Sequence, residues 1–197
     1  MDHSTAGKAH MDFTIRRATA PDAGALAQLA AATFPLACPP DSPAQDIAAF
    51  IAANLGPAQF TAYLEDPTRV VFVAQAGPAN GAGRLLAYTM LVDVPPSDAD
   101  VAAVVPDPDT LELSKFYALP ETHGLGIGGA LMDASTRWAA ENGDRPLWLG
   151  VNSENQRAQK FYTKHGFSIA GSRSFQLGNR VEHDHVMVRP RGTKNTG

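Results

Sequence analysis

The tightest constraint on this chain is a run of four glycines in six residues, Gly124-Leu125-Gly126-Ile127-Gly128-Gly129. It is set between a β-rich stretch, Leu111 to Leu119, and a helical one expected over Gly126 to Asn142, whose Ile127, Leu131, Ala134 and Trp138 form one apolar stripe. A strand that turns through glycine into a helix presents unpaired amides at the positive end of the helix, and the missing side chains let an anion reach them. Together with His123 the segment reads as a phosphate cradle; a glycine turn without a ligand is the bland alternative. Gly124, Gly126 and Gly129 also satisfy the G-x-G-x-x-G dinucleotide pattern, but that site expects the loop after the first strand and an acidic residue closing the second. Here several strands precede the loop, and the next one, Leu147 to Val151, runs into Asn152. A nucleoside-triphosphate loop would need Gly-Lys-Ser/Thr where this chain has Gly128-Gly129-Ala130, which excludes that chemistry.

The surrounding pattern is mixed. Phe13 to Arg17 alternates as a strand, and Ala20-Pro21-Asp22 starts a helix carrying Leu26, Leu29 and Ala30. Helices are expected over Ala44 to Asn54 and Pro57 to Glu65. The runs Arg69 to Ala76 and Leu85 to Val92 read as an antiparallel hairpin around Gly77 to Gly83. Pro95 to Asp109, with four prolines and four aspartates, shows no period and is expected to be a mobile excursion, or else a functional lip. A helix over Asn155 to His165 and strands near Ser168 to Arg173 and Val181 to Arg189 complete the pattern. At 197 residues the chain holds one ordinary core, so residues 11–190 are expected to be a single domain. Residues 1–10 read as a flexible extension and 191–197 as a flexible tail.

A net charge of −4 leaves no broad cationic surface for nucleic acid or lipid, so any anion site must be local. The uncharged stretch Ala23 to Pro40 is too rich in alanine and proline for a membrane span. With the single Cys38 excluding an internal disulfide and no leader pattern, a cytoplasmic location is expected. Cys38 reads as a plain thiol. His183 and His185 share a strand face without an evident third ligand, so no metal is expected.

Two ordered motifs carry a resemblance. His123 to Gly128 resembles the Q/R-x-x-G-x-G/A loop of the GNAT superfamily of N-acetyltransferases, and Asn155-x-x-Ala158-x-x-Phe161-Tyr162-x-x-x-Gly166-Phe167 resembles its later helix and following strand. The likeness extends loosely from Phe13 to Arg189 and is strongest to the bacterial spermidine/spermine-type members. It implies a mixed α/β fold with a central, mostly antiparallel sheet flanked by helices, and acetyl-CoA as co-substrate. By the same resemblance His123, Gly124, Leu125, Gly126, Ile127, Gly128 and Gly129 would hold the pyrophosphate, with Asn155 at the cofactor or as a helix cap. The backbone of Phe116, Tyr117 and Ala118 would pair with the pantetheine arm. His123 departs from the family's Gln or Arg, and adds charge only when protonated.

The acceptor implied is the primary amine of a small molecule, with polyamines as one class. An alkylamine of pKa ~10.4 is almost wholly charged at neutral pH, so a base is needed. Glu112, on the strand feeding the glycine loop, matches the family's base, although a surface glutamate would look the same. Tyr162 matches the tyrosine that donates a hydrogen bond to the departing sulfur, its alternative being aromatic packing. Ser153 with Gln156 offers a capping box that would leave Asn155 free. Lys115, Arg157 and Lys160 are further candidates beside phosphate, and the aspartates from Asp93 to Asp109 could draw in a polycation. A non-catalytic acyl-CoA sensor, a peptide or protein N-acetyltransferase and a nicotinamide enzyme are the competing readings, and a monomer or homodimer is expected.

Overall fold

The computed structural model describes residues 11–77, 83–105, 107–177 and 180–193; the N-terminal extension and the tip of the first hairpin lie outside them. The elements are β1 (Phe13–Arg17), α1 (Ala23–Thr33), α2 (Ala44–Asn54), α3 (Pro57–Glu65), β2 (Arg69–Ala76), β3 (Leu85–Val92), α4 (Ala99–Val104), β4 (Leu111–Ala118), α5 (Ile127–Glu141), β5 (Leu147–Asn152), α6 (Gln156–Lys164), β6 (Ser168–Leu177) and β7 (Arg180–Arg189). The strands form one sheet in the order β1-β2-β3-β4-β5-β7-β6. Every neighbouring pair is antiparallel except β4 and β5. This is the mixed, mostly antiparallel sheet flanked by helices that the resemblance implied.

Register assigns the faces. Tyr88 of β3 pairs with Tyr117 of β4, and Thr89 with Phe116, so Tyr88 and Tyr117 share one face and Phe116 points to the other. On the first face α3 packs edge-on through Phe60 against Tyr88, with ring centroids 5.6 Å apart. On the second, α6 meets Phe116 through Phe161 and Tyr162. Between these layers β3 is buried along its whole length, which explains why Leu85 to Val92 is apolar without alternation. The stripe on α5 is also rotated from the expected one. Ile127, Leu131, Met132, Ser135, Thr136 and Ala139 are buried, while Ala134 and Trp138 lie at the margin.

The excursion from Pro95 to Asp109 is not simply mobile. Asp98 caps the six-residue α4 by accepting from the amides of Asp100 and Val101, and Val101 is wholly buried with Val105, Trp148 and Val186. Two of its four aspartates, and Asp93 just before it, are also taken up by arginines. Asp93 binds Arg145 through both oxygens at 2.6 Å, and Arg191 bridges Asp107 and Asp109. Proline breaks and short length hid the helix from a periodicity argument. Among the described residues no single helix is long and apolar enough to cross a membrane.

Val101 therefore anchors the segment. Val101→Ala should lower unfolding free energy by about 1–3 kcal/mol, the burial value of the lost methyl groups, measured by urea denaturation; a mobile segment would show no change.

Candidate active site

The site begins where the sheet fails to stay paired. β4 and β5 run parallel and match at only two positions, Leu111 with Leu147 and Glu112 with Trp148, after which no register continues. Beyond that pinch each strand keeps its outer partner, β3 on one side and β7 on the other. The inner edges of Leu113 to Ala118 and of Leu149 to Asn152 thus face a gap. A cleft of about 390 Å³ runs through it, reaching from Phe34 and Phe50 on one face of the sheet to Ala158 and Tyr162 on the other.

A β-bulge sets what the gap displays. Met90 pairs with Lys115 but Leu91 with Leu113, leaving Ser114 over. Strict alternation would put Glu112 and Lys115 on opposite faces; the bulge brings both onto the face of Tyr117. Burial lowers the Lys115 ammonium pKa and Glu112 opposes the shift, while the ammonium sits 5.3 Å over the Tyr63 ring. Phe116, Tyr117 and Ala118 lie on the splayed half of β4, paired to β3 by one edge.

At the other end of β4 the chain turns through the glycines. Gly124 and Gly126 have φ of +81° and +79°, in the left-handed region that glycine tolerates, and Gly126 is the N-cap of α5. The first helical bond runs from Ala130 N to Gly126 O at 3.0 Å, so the amides of Ile127, Gly128 and Gly129 precede the ladder. A Cβ at Gly124, Gly126 or Gly129 would meet nothing within 4 Å, so the loop borders open space at these positions. Gly128 differs: its bare backbone lets the Phe161 ring approach a Cβ position to 3.4 Å. The residues thus fit an anion cradle. His123 is exposed beside it; burial lowers its pKa below the ordinary imidazole value, Arg157 lowers it further and Glu121 pulls the other way.

Tyr162 reaches the gap from α6. It is 9% exposed, walled by Phe116, Phe161 and Phe167, and burial holds its phenol above the ordinary pKa, so it enters the cleft as a proton-bearing donor. Gly166, at φ +85°, ends this helix and sends Phe167 into the core. Asn155 does not stand free. Its Oδ1 accepts from Ala158 N at 3.0 Å as the N-cap of α6, and Ser153 instead donates its amide to His183 O. The cap shifts by two residues because Asn152 and Ser153 are still held by β7.

Sequence reasoning missed the far wall. Arg173 of β6 and Glu182 and Asp184 of β7 line the same cleft as Glu112 and Tyr162. Attention to His183 and His185 obscured them, yet alternation places Glu182 and Asp184 on the opposite, buried side of β7. Asp184 accepts from Arg173; burial raises its pKa against that pull. Cys38 also lines the cleft, its thiol pKa raised by burial and then by Glu182, which suits a plain thiol. Among the described residues no three His, Cys, Asp or Glu side chains are grouped to hold a metal.

Comparison with known proteins gives a consistent picture. The model of the Acetyltransferase (GNAT) family matches residues 26–167. An uncharacterized N-acetyltransferase of Mycobacterium tuberculosis (strain ATCC 25618 / H37Rv) is 47% identical over 168 residues, covering 85% of this chain and 97% of the relative. The fold is similar to that of PaiA N-acetyltransferase from Thermoplasma acidophilum, solved in complex with coenzyme A. The TM-score is 0.68 at 17% identity, over 91% of this chain and 99% of that one. It is also similar to Arabidopsis thaliana NAA60 in complex with a bisubstrate analogue, with TM-score 0.67 at 13% identity over 90% and 98% of the two chains.

The capping geometry has a direct test. Asn155→Ala should cost about 0.5–2 kcal/mol of stability by thermal or urea unfolding, and Ser153→Ala no more than about 0.5; the reverse order would restore the capping box.

Proposed function

This chain belongs to the acetyltransferase (GNAT) family and is an acetyl-CoA-dependent N-acetyltransferase, and we propose that it acetylates a primary amine of a small molecule by direct attack in a ternary complex. The observation that carries the reading is the gap between β4 and β5, lined by carboxylates, on a β4 strand whose far end leads into the glycine loop and α5. The amides of Gly124, Gly126, Ile127, Gly128 and Gly129 would hold the pyrophosphate, that of Leu125 being already given to the Thr122 carbonyl at 3.2 Å, and the inner edge of Phe116 to Ala118 the pantetheine arm. The co-substrate supplies an acyl carbon whose bond to sulfur breaks as the bond to nitrogen forms.

The chain's own groups handle the protons. Glu112, at the pinch, takes the proton that the ammonium must lose before its nitrogen can attack. Tyr162 donates a hydrogen bond to the departing sulfur. With its phenol pKa raised by burial, complete proton transfer to a thiolate is uphill, so stabilisation without transfer is the role that fits. Asn155 supports the site indirectly by capping the helix that carries Tyr162. Polyamines are one acceptor class to be tried, on the strength of the sequence resemblance; the pairing of Asp93, Asp107 and Asp109 with arginines weakens the acidic loop as an argument for them, leaving Asp98, which caps α4, and Asp100.

Thiol release from acetyl-CoA with a panel of polyamines, amino acids and peptides should be amine-dependent. Glu112→Gln should lower kcat/KM by about 10²–10⁴, and Tyr162→Phe by roughly tenfold, the value of one hydrogen bond made in the transition state. Saturable binding without amine-dependent release would sink the enzyme reading. A second measurement concerns His123. Its added charge favours the diphosphate only when protonated, and its lowered pKa confines that gain to the acid side. The Kd for acetyl-CoA should therefore be about two- to fivefold lower at pH 5.5 than at pH 8, and His123→Gln should flatten the difference in calorimetry.

A further inference from the structure

The side chain of Arg173 travels further than a structural ion pair requires. It sits on β6 directly opposite Asp184 on β7, and a cross-strand pair would be complete between those two neighbours. Its guanidinium instead crosses β7 to lie over β5, two strands away in the sheet. A Cβ built on Gly150 would stand 2.5 Å from Arg173 Nη2 and 2.8 Å from Cζ, so the head group occupies the space that any other residue on β5 would fill. Asp184 and Trp148 are among the groups that hold it there. Asp184 Oδ2 accepts from Nε at 3.3 Å and Nη2 at 3.2 Å, and the Trp148 ring lies 5.6 Å from Cζ. The side chain is still 24% exposed, against 8% for Asp184, and it lines the cleft beside Glu112.

We propose that Arg173 recognises the acceptor, binding a carboxylate that the acceptor carries near its amine, so that the preferred substrate is an amino-acid-like zwitterion. This rests on the acetyl-transfer reading above and names the acceptor class for it. A guanidinium is a flat fork that meets carboxylate oxygens in pairs, and one that is already immobilised loses little entropy on binding. The cleft is lined by both signs of charge, Glu112, Glu182 and Asp184 with Lys115 and Arg173, Asp184 anchoring the arginine. An acceptor bearing both signs complements that arrangement, whereas a polycation offers nothing for Arg173 to bind. A cation held beside the bound amine also favours the neutral, nucleophilic form of that amine.

The test uses the purified full chain with alanine, phenylalanine and lysine, each compared with its amide and its decarboxylated amine, and with spermidine. Wild type should prefer the free carboxylate in kcat/KM. Arg173→Met should reduce the ratio of acid to amide by about ten- to a hundredfold, chiefly through acceptor KM. Arg173→Lys should recover only part of that ratio, because it restores charge without the fork. Gly150→Ala, which keeps the arginine but evicts its head group, should shift the ratio in the same direction and provides the reading should Arg173→Met fail to fold. Calorimetric titration of the same acids and amides into protein saturated with coenzyme A gives the preference independently of turnover. Absent turnover across the panel would refute the enzyme reading while that titration still judges this one. A wild-type preference for the amide, the decarboxylated amine or spermidine, or an unchanged ratio in both variants, overturns the assignment.

Discussion

Two matched positions between β4 and β5 govern everything else in this protein. Had the parallel pairing continued past Glu112 and Trp148, the sheet would be closed and the interior dry. Past that point each strand follows its outer partner, β4 held to β3 through a bulge and β5 to β7 to its last residue. Twist then carries the two apart. The result is an opening flanked by backbone and lined by side chains from both layers, which a fully paired sheet could not provide.

The charges around the opening are arranged by two local irregularities. The bulge at Ser114 puts Glu112 and Lys115 on one face, and the bare backbone at Gly150 admits a guanidinium rooted on β6. Neither is a large structural feature. Each works by relocating one charged group by a few ångströms in a confined space, where Coulomb interactions are stronger than at the surface.

What could be read beforehand divides along the same line. Most strands and helices were legible from β-rich runs and helical spacing, although β3 carries no alternation and the buried stripe of α5 is rotated from the expected one, and the glycine loop because its spacing has few other uses. Glu112 and Tyr162 were placed on the correct elements, and both line the cleft. The excursion around α4 was not legible, since a six-residue helix bounded by prolines shows no period and its single anchor, Val101, looks like any other valine. Arg173 and Asp184 were missed for a different reason. Their importance depends on two strands being joined by β7 and on a glycine some twenty residues away, which are relations in space. The cap on α6 fell between these cases: the right residue types were present, and tertiary hold on Ser153 decided which of them served.

The unpaired inner edge has a thermodynamic corollary. Backbone groups on β4 and β5 that lack a strand partner must be satisfied by water or by whatever molecule lies between them. A guest offering its own amide groups acts as a substitute strand, and by linkage it adds RT ln(1 + [L]/Kd) to the folded state, about 2.7 kcal/mol at a hundred times Kd. With the acyl donor as that guest, as proposed, resistance to unfolding and proteolysis would rise and fall with the supply of the donor.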